Sequence, residues 1–149
     1  MARGAIIGTG YRVPDRVVPN AELTGYMETS DEWIRERTGI RERRWVEPGT
    51  TGASMAAEAS RMAMEAAGVE AREIDAIVLA TLSPDHCFPG TGVFLQRELG
   101  LGTIPALDVR AQCSGFLYGL SVADAWIRSG QYRTLLLVGV DIQSTGLDL

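Results

Sequence analysis

The stretch Ile104–Leu120 constrains the fold more than any other part of the chain. It begins with a short apolar run typical of a buried strand and crosses a small polar corner at Cys113. Apolar residues then recur at helical spacing, with Phe116, Leu120 and Ala123 on one side. Because a strand that passes directly into a helix is the building unit of α/β folds, this stretch predicts such a unit with a cysteine at its corner.

Cys113 therefore lies where the first N–H groups of a helix have no intrahelical partner. The helix dipole adds positive potential there, which favours the thiolate, the nucleophilic form of cysteine. Gly115 and Gly119 carry no side chains, so another backbone or an acyl group can approach closely. The competing interpretation is a buried cysteine that acts as a small apolar residue, a common role of free cysteine. Both interpretations stay open at this corner, and motifs elsewhere in the chain decide in favour of the nucleophile.

The remaining elements alternate along the chain, which predicts an α/β fold with the sheet between helix layers. Asn20 and Ser30 are expected to cap the first two helices. The strand at 133–141 is apolar throughout, so we expect it to be covered on both faces. The predicted strands are 3–9, 40–46, 75–81, the run from 104 and 133–141, and the predicted helices are 20–27, 30–38, 53–67, 91–99 and the one after Cys113.

Composition and charge exclude several classes of protein. A chain of 149 residues with 46% hydrophobic and 22% charged residues is one globular domain by length and is not disordered. The net charge of −5, with no basic block, argues against nucleic-acid binding, and no apolar run is long enough to span a membrane. Two cysteines without an export signal suggest reduced thiols and a cytoplasmic location.

Gly8 and Gly10 are a weak sign of a dinucleotide-binding loop. Val13 stands where the third glycine of that fingerprint is expected, and Pro14 disfavours the start of a helix. A plain turn is the better interpretation, and oxidoreduction stays a remote alternative.

The helix after Cys113 carries apolar or small residues on nearly all sides, which is typical of a buried helix. A single layered domain of this length offers little to cover it on every side. We therefore expect the chain to work with a partner half.

Three separated motifs carry a resemblance to a known family. They are Ser30–Arg44 (SDEWIRERTGIRERR), His86–Pro89 (HCFP) and Asp108–Phe116 (DVRAQCSGF). In order and spacing they resemble β-ketoacyl-acyl-carrier-protein synthase III, a thiolase-fold condensing enzyme. The resemblance implies that residues 1–149 form the N-terminal half of a five-layer αβαβα sandwich, with the C-terminal half absent from this chain.

The resemblance also implies an activity. Cys113 takes an acyl group from acyl-CoA, and the acyl-enzyme condenses with malonyl-acyl-carrier protein after decarboxylation. Trp33, Arg37 and Thr29 match positions that bind CoA, and Phe88 matches a position that shapes the acyl pocket. The implied partners are acyl-CoA, acyl-carrier protein, the C-terminal half and a second subunit, with no metal and no cofactor.

Other features leave room for different functions. In the family a His and an Asn of the C-terminal half assist decarboxylation, whereas His86, the single histidine here, lies elsewhere and is interpreted as structural or pocket-lining. Gln112 and Cys87 also depart from the family pattern. The alternatives are a thiolase-fold acyltransferase of secondary metabolism that does not decarboxylate, and a half that binds acyl-CoA without catalysis.

Overall fold

The computed structural model describes residues 3–148, so residues 1, 2 and 149 of the predicted half-domain lie outside the described residues. The chain forms two compact units. The first contains Thr51–Asp141 together with the N-terminal segment up to Arg12. The second contains Val13–Thr50 and the segment from Ile142 onward.

The first unit is built on a three-stranded parallel sheet in which β3 lies between β4 and β5. In the register, Ile77 of β3 lies beside Ala106 of β4 and Leu136 of β5. A helix precedes or follows each strand, as parallel crossovers require. The elements are α3 (Gly52–Ala67), β3 (Ala76–Ala80), α4 (Thr91–Glu98), β4 (Ala106–Val109), α5 (Gly115–Arg128) and β5 (Leu135–Gly139).

Helices cover both faces of this sheet. On one face, Ile77 and Leu79 pack in a core with α3 and α4, to which Leu95 contributes. On the other face, Gly115 and Gly119 bring α5 close to the sheet. The helix–sheet–helix arrangement confirms the predicted α/β class.

Gly119 sets the distance between α5 and the sheet, because a Cβ there would lie 2.9 Å from Leu137 Cδ1. We expect Gly119→Val to lower the free energy of unfolding by about 1–3 kcal/mol through overpacking. Ser121→Val introduces the same side chain at an exposed position of α5 and should cost less. Urea titration of both variants measures their free energies of unfolding. Equal losses in the two variants would show that the close approach of Gly119 to Leu137 does not determine the cost.

Asp75 holds the start of β5 through its carboxylate, which accepts hydrogen bonds from Arg133 N (2.8 Å) and Thr134 N (2.9 Å). The bond from Thr134 and then that from Arg133 hold the pKa of Asp75 below its ordinary value of 3.8, although burial opposes them. The ionised form is therefore favoured in the folded state, and its contribution is lost as the pH falls through the lowered pKa.

Asp75→Asn should therefore destabilise the protein above pH 3.8, and its difference from the wild type should shrink as the pH falls below that value. Denaturant midpoints measured on both sides of this pH check the prediction. Glu65→Gln, an exposed change in charge, serves as the control. A difference that stays constant across this range would contradict the assignment.

The second unit contains an antiparallel pair of strands, in which Val18 lies beside Arg43. Val18, Ile34 and Trp45 are buried. The Ser30 side chain accepts a hydrogen bond from Trp33 N, and Gly39 ends that helix with a φ of 73°, so the predicted cap is confirmed. The elements are β1 (Arg16–Pro19), α1 (Asn20–Leu23), α2 (Asp31–Thr38) and β2 (Glu42–Trp45).

The prediction of a buried strand at 3–9 is wrong for this structure. The segment forms no strand, and Ile6 and Ile7 are 73% and 62% exposed. Its glycines instead lie against α3, where a Cβ on Gly8 would come within 2.3 Å of Ala63 O. An apolar run becomes a strand only when a neighbouring strand lies at hydrogen-bonding distance.

Asn20 is not a helix cap, because Pro19 holds that position. The Asn20 amide is buried and donates hydrogen bonds to Asp31 Oδ1 and Ile40 O, both at 2.8 Å. α1 ends at Leu23 rather than near residue 27. The side chain thus links two parts of the unit instead of starting a helix.

The buried helix and the doubly covered strand that the sequence predicts are only partly covered by the described chain. Phe116, Leu117 and Tyr118 of α5 are exposed, and α5 buries only its small residues deeply. In β5, Leu136 and Val138 are buried whereas their neighbours are half-buried or exposed. Both elements therefore carry more apolar surface than the described chain covers.

Candidate active site

Cys113 lies at the corner between β4 and α5. β4 ends at Val109, Gln112–Ser114 forms a 3-10 turn, and α5 begins at Gly115. The Cys113 thiol is exposed and forms no disulfide, so the interpretation as a buried apolar residue does not hold here. The predicted strand–corner–helix unit is confirmed.

The backbone at this corner is unusual. Gln112 has a φ of 47°, a left-handed conformation found at no other non-glycine residue of the described chain. Residues other than Gly, Asn and Asp rarely adopt it, and such strain concentrates at functional positions. The sharp turn at Gln112 places the following cysteine in solvent.

The N–H groups at the start of α5 are only partly used. Ser114 N donates to Ala111 O at 3.1 Å, and Gly115 N donates to Gln112 O. The Cys113 N–H lies outside these two bonds, and no side chain caps the helix. An exposed thiol at this position can attack a carbonyl carbon. The neighbouring amide at the helix start can then donate a hydrogen bond to the oxygen that becomes negative.

Aspartates anchor the loops at the carboxyl edge of the sheet. Asp85 accepts hydrogen bonds from Gly52 N (2.6 Å) and Ala53 N (2.9 Å) at the start of α3. Asp108, in β4, accepts one from Gly92 N (2.9 Å) in the first turn of α4. Each carboxylate thus lies at the positive end of a helix dipole.

A third aspartate joins the ends of β3 and β5. Asp141 Oδ1 accepts hydrogen bonds from Leu82 N (2.7 Å) and Thr81 Oγ1 (3.2 Å). None of these three aspartates is predicted from the sequence. In the sequence, each of these residues stands out only as an acidic residue within or just after an apolar strand. That position does not indicate which backbone amides donate to the carboxylate.

The loop between β3 and α4 carries three of the residues discussed above. Phe88 is 91% exposed and precedes Pro89 through a cis peptide bond. Cys87 is exposed and unbridged. The His86 ring packs on Phe94 with 4.7 Å between centroids, which agrees with a structural or pocket-lining role.

The second unit holds the three predicted CoA-binding residues on or beside α2. Trp33 is 52% exposed, whereas Ile34 is the buried residue of this helix. The Arg37 guanidinium lies over the Trp33 ring, 4.7 Å from its centroid, so the structure brings these two side chains together. Thr29 Oγ1 is buried and has no hydrogen-bond partner.

Two features are absent from residues 3–148. No helix there is long and apolar enough to cross a membrane. No group of three or more His, Cys, Asp or Glu side chains in that range could hold a metal ion.

Known proteins resemble this chain over nearly its whole length. The family model described as 3-Oxoacyl-[acyl-carrier-protein (ACP)] synthase III matches residues 107–149. A β-ketoacyl-[acyl-carrier-protein] synthase III of Novosphingobium aromaticivorans is 51% identical over 146 residues, which is 98% of this chain and 45% of that protein. This chain is homologous to the β-ketoacyl-[acyl-carrier-protein] synthase III family. It spans about half the length of the curated relatives that it matches.

Solved structures of synthase III enzymes agree with this assignment. The 3-oxoacyl-[acyl-carrier-protein] synthase III of Aquifex aeolicus superposes with a TM-score of 0.91 at 42% identity, covering 96% of this chain and 46% of that one. The priming β-ketosynthase of the R1128 polyketide pathway superposes with a TM-score of 0.88 at 37% identity. The match covers 93% of this chain and 42% of the ketosynthase chain. The thiolase-like fold of a synthase III half is thereby confirmed.

Proposed function

We propose that this chain is the nucleophilic half of a β-ketoacyl-[acyl-carrier-protein] synthase III that loads an acyl group from acyl-CoA onto Cys113. The observation that carries the proposal is the exposed thiol at the strand-to-helix corner of a synthase III homologue. The acyl-enzyme then condenses with malonyl-acyl-carrier protein. The product is a β-ketoacyl-carrier protein.

The first step transfers the acyl group from CoA to Cys113. The Cys113 thiol loses its proton, and its sulfur attacks the thioester carbonyl. The bond from that carbon to the CoA sulfur breaks, and CoA leaves as a thiol after taking up a proton. Because one thioester replaces another, the acyl-enzyme forms at little energetic cost.

The second step forms the carbon–carbon bond. Malonyl-carrier protein loses CO2, and the resulting carbanion attacks the acyl carbon on Cys113. The cysteine sulfur leaves as a thiolate and takes up a proton. In both steps the Cys113 N–H is the donor that we assign to the developing oxyanion, since it lies outside the bonds of the turn.

The CoA site that we propose in the second unit rests on Trp33, Arg37 and Thr29. The half-exposed indole of Trp33 can stack on a purine. The Arg37 guanidinium covers part of the same indole ring or binds a phosphate. The unpartnered Thr29 hydroxyl can bind the polar pantetheine arm. Phe88, almost fully exposed, is assigned to the acyl pocket of the assembled homodimer.

A C-terminal half completes this proposal. It would supply the His and Asn that stabilise the carbanion. It would also cover apolar side chains on the surface of α5, such as Leu117, which is 65% exposed. The proposed assembly is a cytoplasmic homodimer that needs no metal and no cofactor.

A second candidate is the priming of polyketide synthesis by the same chemistry. The observation behind it is the structural similarity to the R1128 priming β-ketosynthase, at 37% identity. The two candidates share Cys113 and differ in the acyl group and the carrier protein. A panel of acyl-CoAs distinguishes them.

The test uses a chimera in which this chain is joined to the part of the Novosphingobium protein that it does not match. Incubation with acyl-CoA and malonyl-carrier protein should give CO2 and β-ketoacyl-carrier protein in equal amounts, both measured by mass spectrometry. Acyl transfer to carrier protein without CO2 would instead support the acyltransferase alternative. Binding of acyl-CoA without any transfer would show a non-catalytic half.

A further inference from the structure

The loop of residues 81–90 connects β3 to α4 and carries Phe88. Its first half is anchored by Asp85, whose carboxylate accepts hydrogen bonds from the first amides of α3. The Asp85 N–H also donates to Thr91 Oγ1 at 3.1 Å, which ties the same residue to the first turn of α4. The tip of the loop, residues 86–89, therefore projects between an anchored first half and the start of a helix.

Asp108 anchors the backbone that follows this tip. In β4 it lies beside Leu79 of β3, and its Oδ1 accepts a hydrogen bond from Gly92 N at 2.9 Å. Gly90 lies against the other carboxylate oxygen, because a Cβ on Gly90 would be only 2.4 Å from Asp108 Oδ2. Gly90 has a φ of −67° and a ψ of 166°, a conformation open to any residue. The carboxylate, and not the backbone conformation, is therefore what favours glycine at this position.

The same aspartate belongs to the strand that leads to the nucleophile. β4 ends at Val109, directly after Asp108, and the turn that contains Cys113 follows. The neighbouring strand residue Leu79 is fully buried, so β4 is paired with a fixed part of the core at this point. One carboxylate thus contacts the backbone of the Phe88 loop from the strand that carries Cys113.

The Phe88 side chain receives little support from its own chain. It is 91% exposed, and its neighbour Cys87 is exposed as well. On the preceding side, the His86 ring packs on Phe94 of α4 with 4.7 Å between centroids. On the following side, the nearest anchor is the contact of Gly90 with the carboxylate. The position of Phe88 therefore depends on how the backbone on its two sides is held.

We propose that Asp108 is a positioning residue that fixes where Phe88 lies relative to Cys113, and that it thereby sets the length of acyl chain that the enzyme accepts. The inference rests on the proposed function, in which Phe88 shapes the acyl pocket and Cys113 carries the acyl group. A shift of the loop changes the length of that pocket. One methylene more or less in an apolar pocket changes kcat/KM about 10- to 200-fold, so a small shift has a large effect on selectivity.

Steady-state kinetics of the chimera with acetyl-, butyryl-, hexanoyl- and octanoyl-CoA test the proposal. In Asp108→Ala the loop loses its anchor, and the ratio of kcat/KM between the best and the next best of these substrates should change at least about 10-fold. Asp108→Asn keeps an oxygen that accepts from Gly92 N, so its ratio should stay within about threefold of the wild type. An unchanged ratio in folded Asp108→Ala, with kcat/KM lowered equally for every substrate, would overturn the proposal.

Gly90→Ala tests the same contact from the side of the loop. Its Cβ would occupy the space of Asp108 Oδ2, so the loop must shift, and the ratio should again change at least about 10-fold. Gly102→Ala is the matched control, since a Cβ there meets nothing within 4 Å, and it should leave the ratio unchanged. Gly90→Ala decides the question even where Asp108→Ala fails to fold, because an unchanged ratio in folded Gly90→Ala would overturn the proposal.

The double variant Asp108→Ala/Gly90→Ala shows whether the two residues act through one contact. Once the carboxylate is absent, the Cβ at position 90 displaces nothing, so the second substitution should add little to the effect of the first. Additive effects of the two substitutions on the ratio would show that they act independently and would overturn the proposal.

Asp75→Ala separates positioning from a general loss of stability. The Asp75 carboxylate also accepts hydrogen bonds from two backbone amides, but it lies before β3 and anchors the start of β5. Asp75→Ala should lower the urea midpoint and leave the ratio within about threefold of the wild type. A change in the ratio as large as that in Asp108→Ala would assign the effect to destabilisation and overturn the proposal.

The selectivity measurement and the activity test have distinguishable failures. A chimera that forms no β-ketoacyl product with any of these acyl-CoAs would contradict the proposed function, and the role of Asp108 with it. A chimera that forms the product, but whose ratio is the same in the wild type and in folded Asp108→Ala, would contradict the role of Asp108 alone.

Discussion

Cys113→Ala in the chimera should reduce β-ketoacyl product formation by at least about 1,000-fold, because the acyl-enzyme of the proposed mechanism is a thioester of this cysteine. Cys87→Ala is the matched control, since Cys87 is the other exposed free cysteine. It should leave turnover within about threefold of the wild type, because the proposed mechanism makes no use of this exposed thiol. Steady-state assays with a saturating acyl-CoA measure both.

The same substitution should leave folding nearly unchanged. The Cys113 side chain is exposed, so its loss leaves no cavity, and the free energy of unfolding should shift by less than about 0.5 kcal/mol. A folded Cys113→Ala enzyme that retains condensation would remove Cys113 from the mechanism. A variant that fails to fold would show that the cysteine is structural.

Trp33→Ala should raise the Michaelis constant for acyl-CoA about 10-fold or more and change the turnover number little. Stacking of a base on an aromatic side chain contributes about 1–3 kcal/mol, and this contact is made equally in the ground and transition states. The half-exposed indole, already covered in part by Arg37, is available for such stacking.

Trp126→Ala is the control for this change. Trp126 packs edge-on against Tyr132 in the other compact unit, so its loss removes a tryptophan without touching the proposed CoA site. A fall in turnover with an unchanged Michaelis constant in Trp33→Ala would contradict the CoA assignment. Equal effects of both substitutions would indicate a general loss of stability.

The elements that the sequence predicted well are those fixed by local chemistry. Ser30 before two acidic residues starts a helix, and Gly39 and Gly68 end helices with φ of 73° and 65°. The change from an apolar run to helical spacing around Cys113 likewise lies within one short stretch. Such signals need no information about the rest of the chain.

The features that the sequence does not predict depend on distant partners. Asp85 binds amides 32 and 33 residues away, and nothing local to it indicates them. Asn20 has the residue type of a cap, but its amide binds Ile40 O instead. The segment at 3–9 has the composition of a strand and no strand beside it. For Asn20 and Asp85 the neighbour that decides the structure lies 20 and up to 33 residues away in the sequence.

The measurement that tests the central claim most directly is mass spectrometry of the chimera after incubation with a panel of acyl-CoAs, followed by peptide mapping. The account predicts a mass gain of one acyl group, located on the peptide that contains Cys113, absent in Cys113→Ala and retained in Cys87→Ala. The acyl-CoA that gives the fastest gain identifies the preferred chain. An adduct on Cys87, or no adduct on Cys113 with any acyl-CoA, would contradict the assignment of Cys113 as the nucleophile.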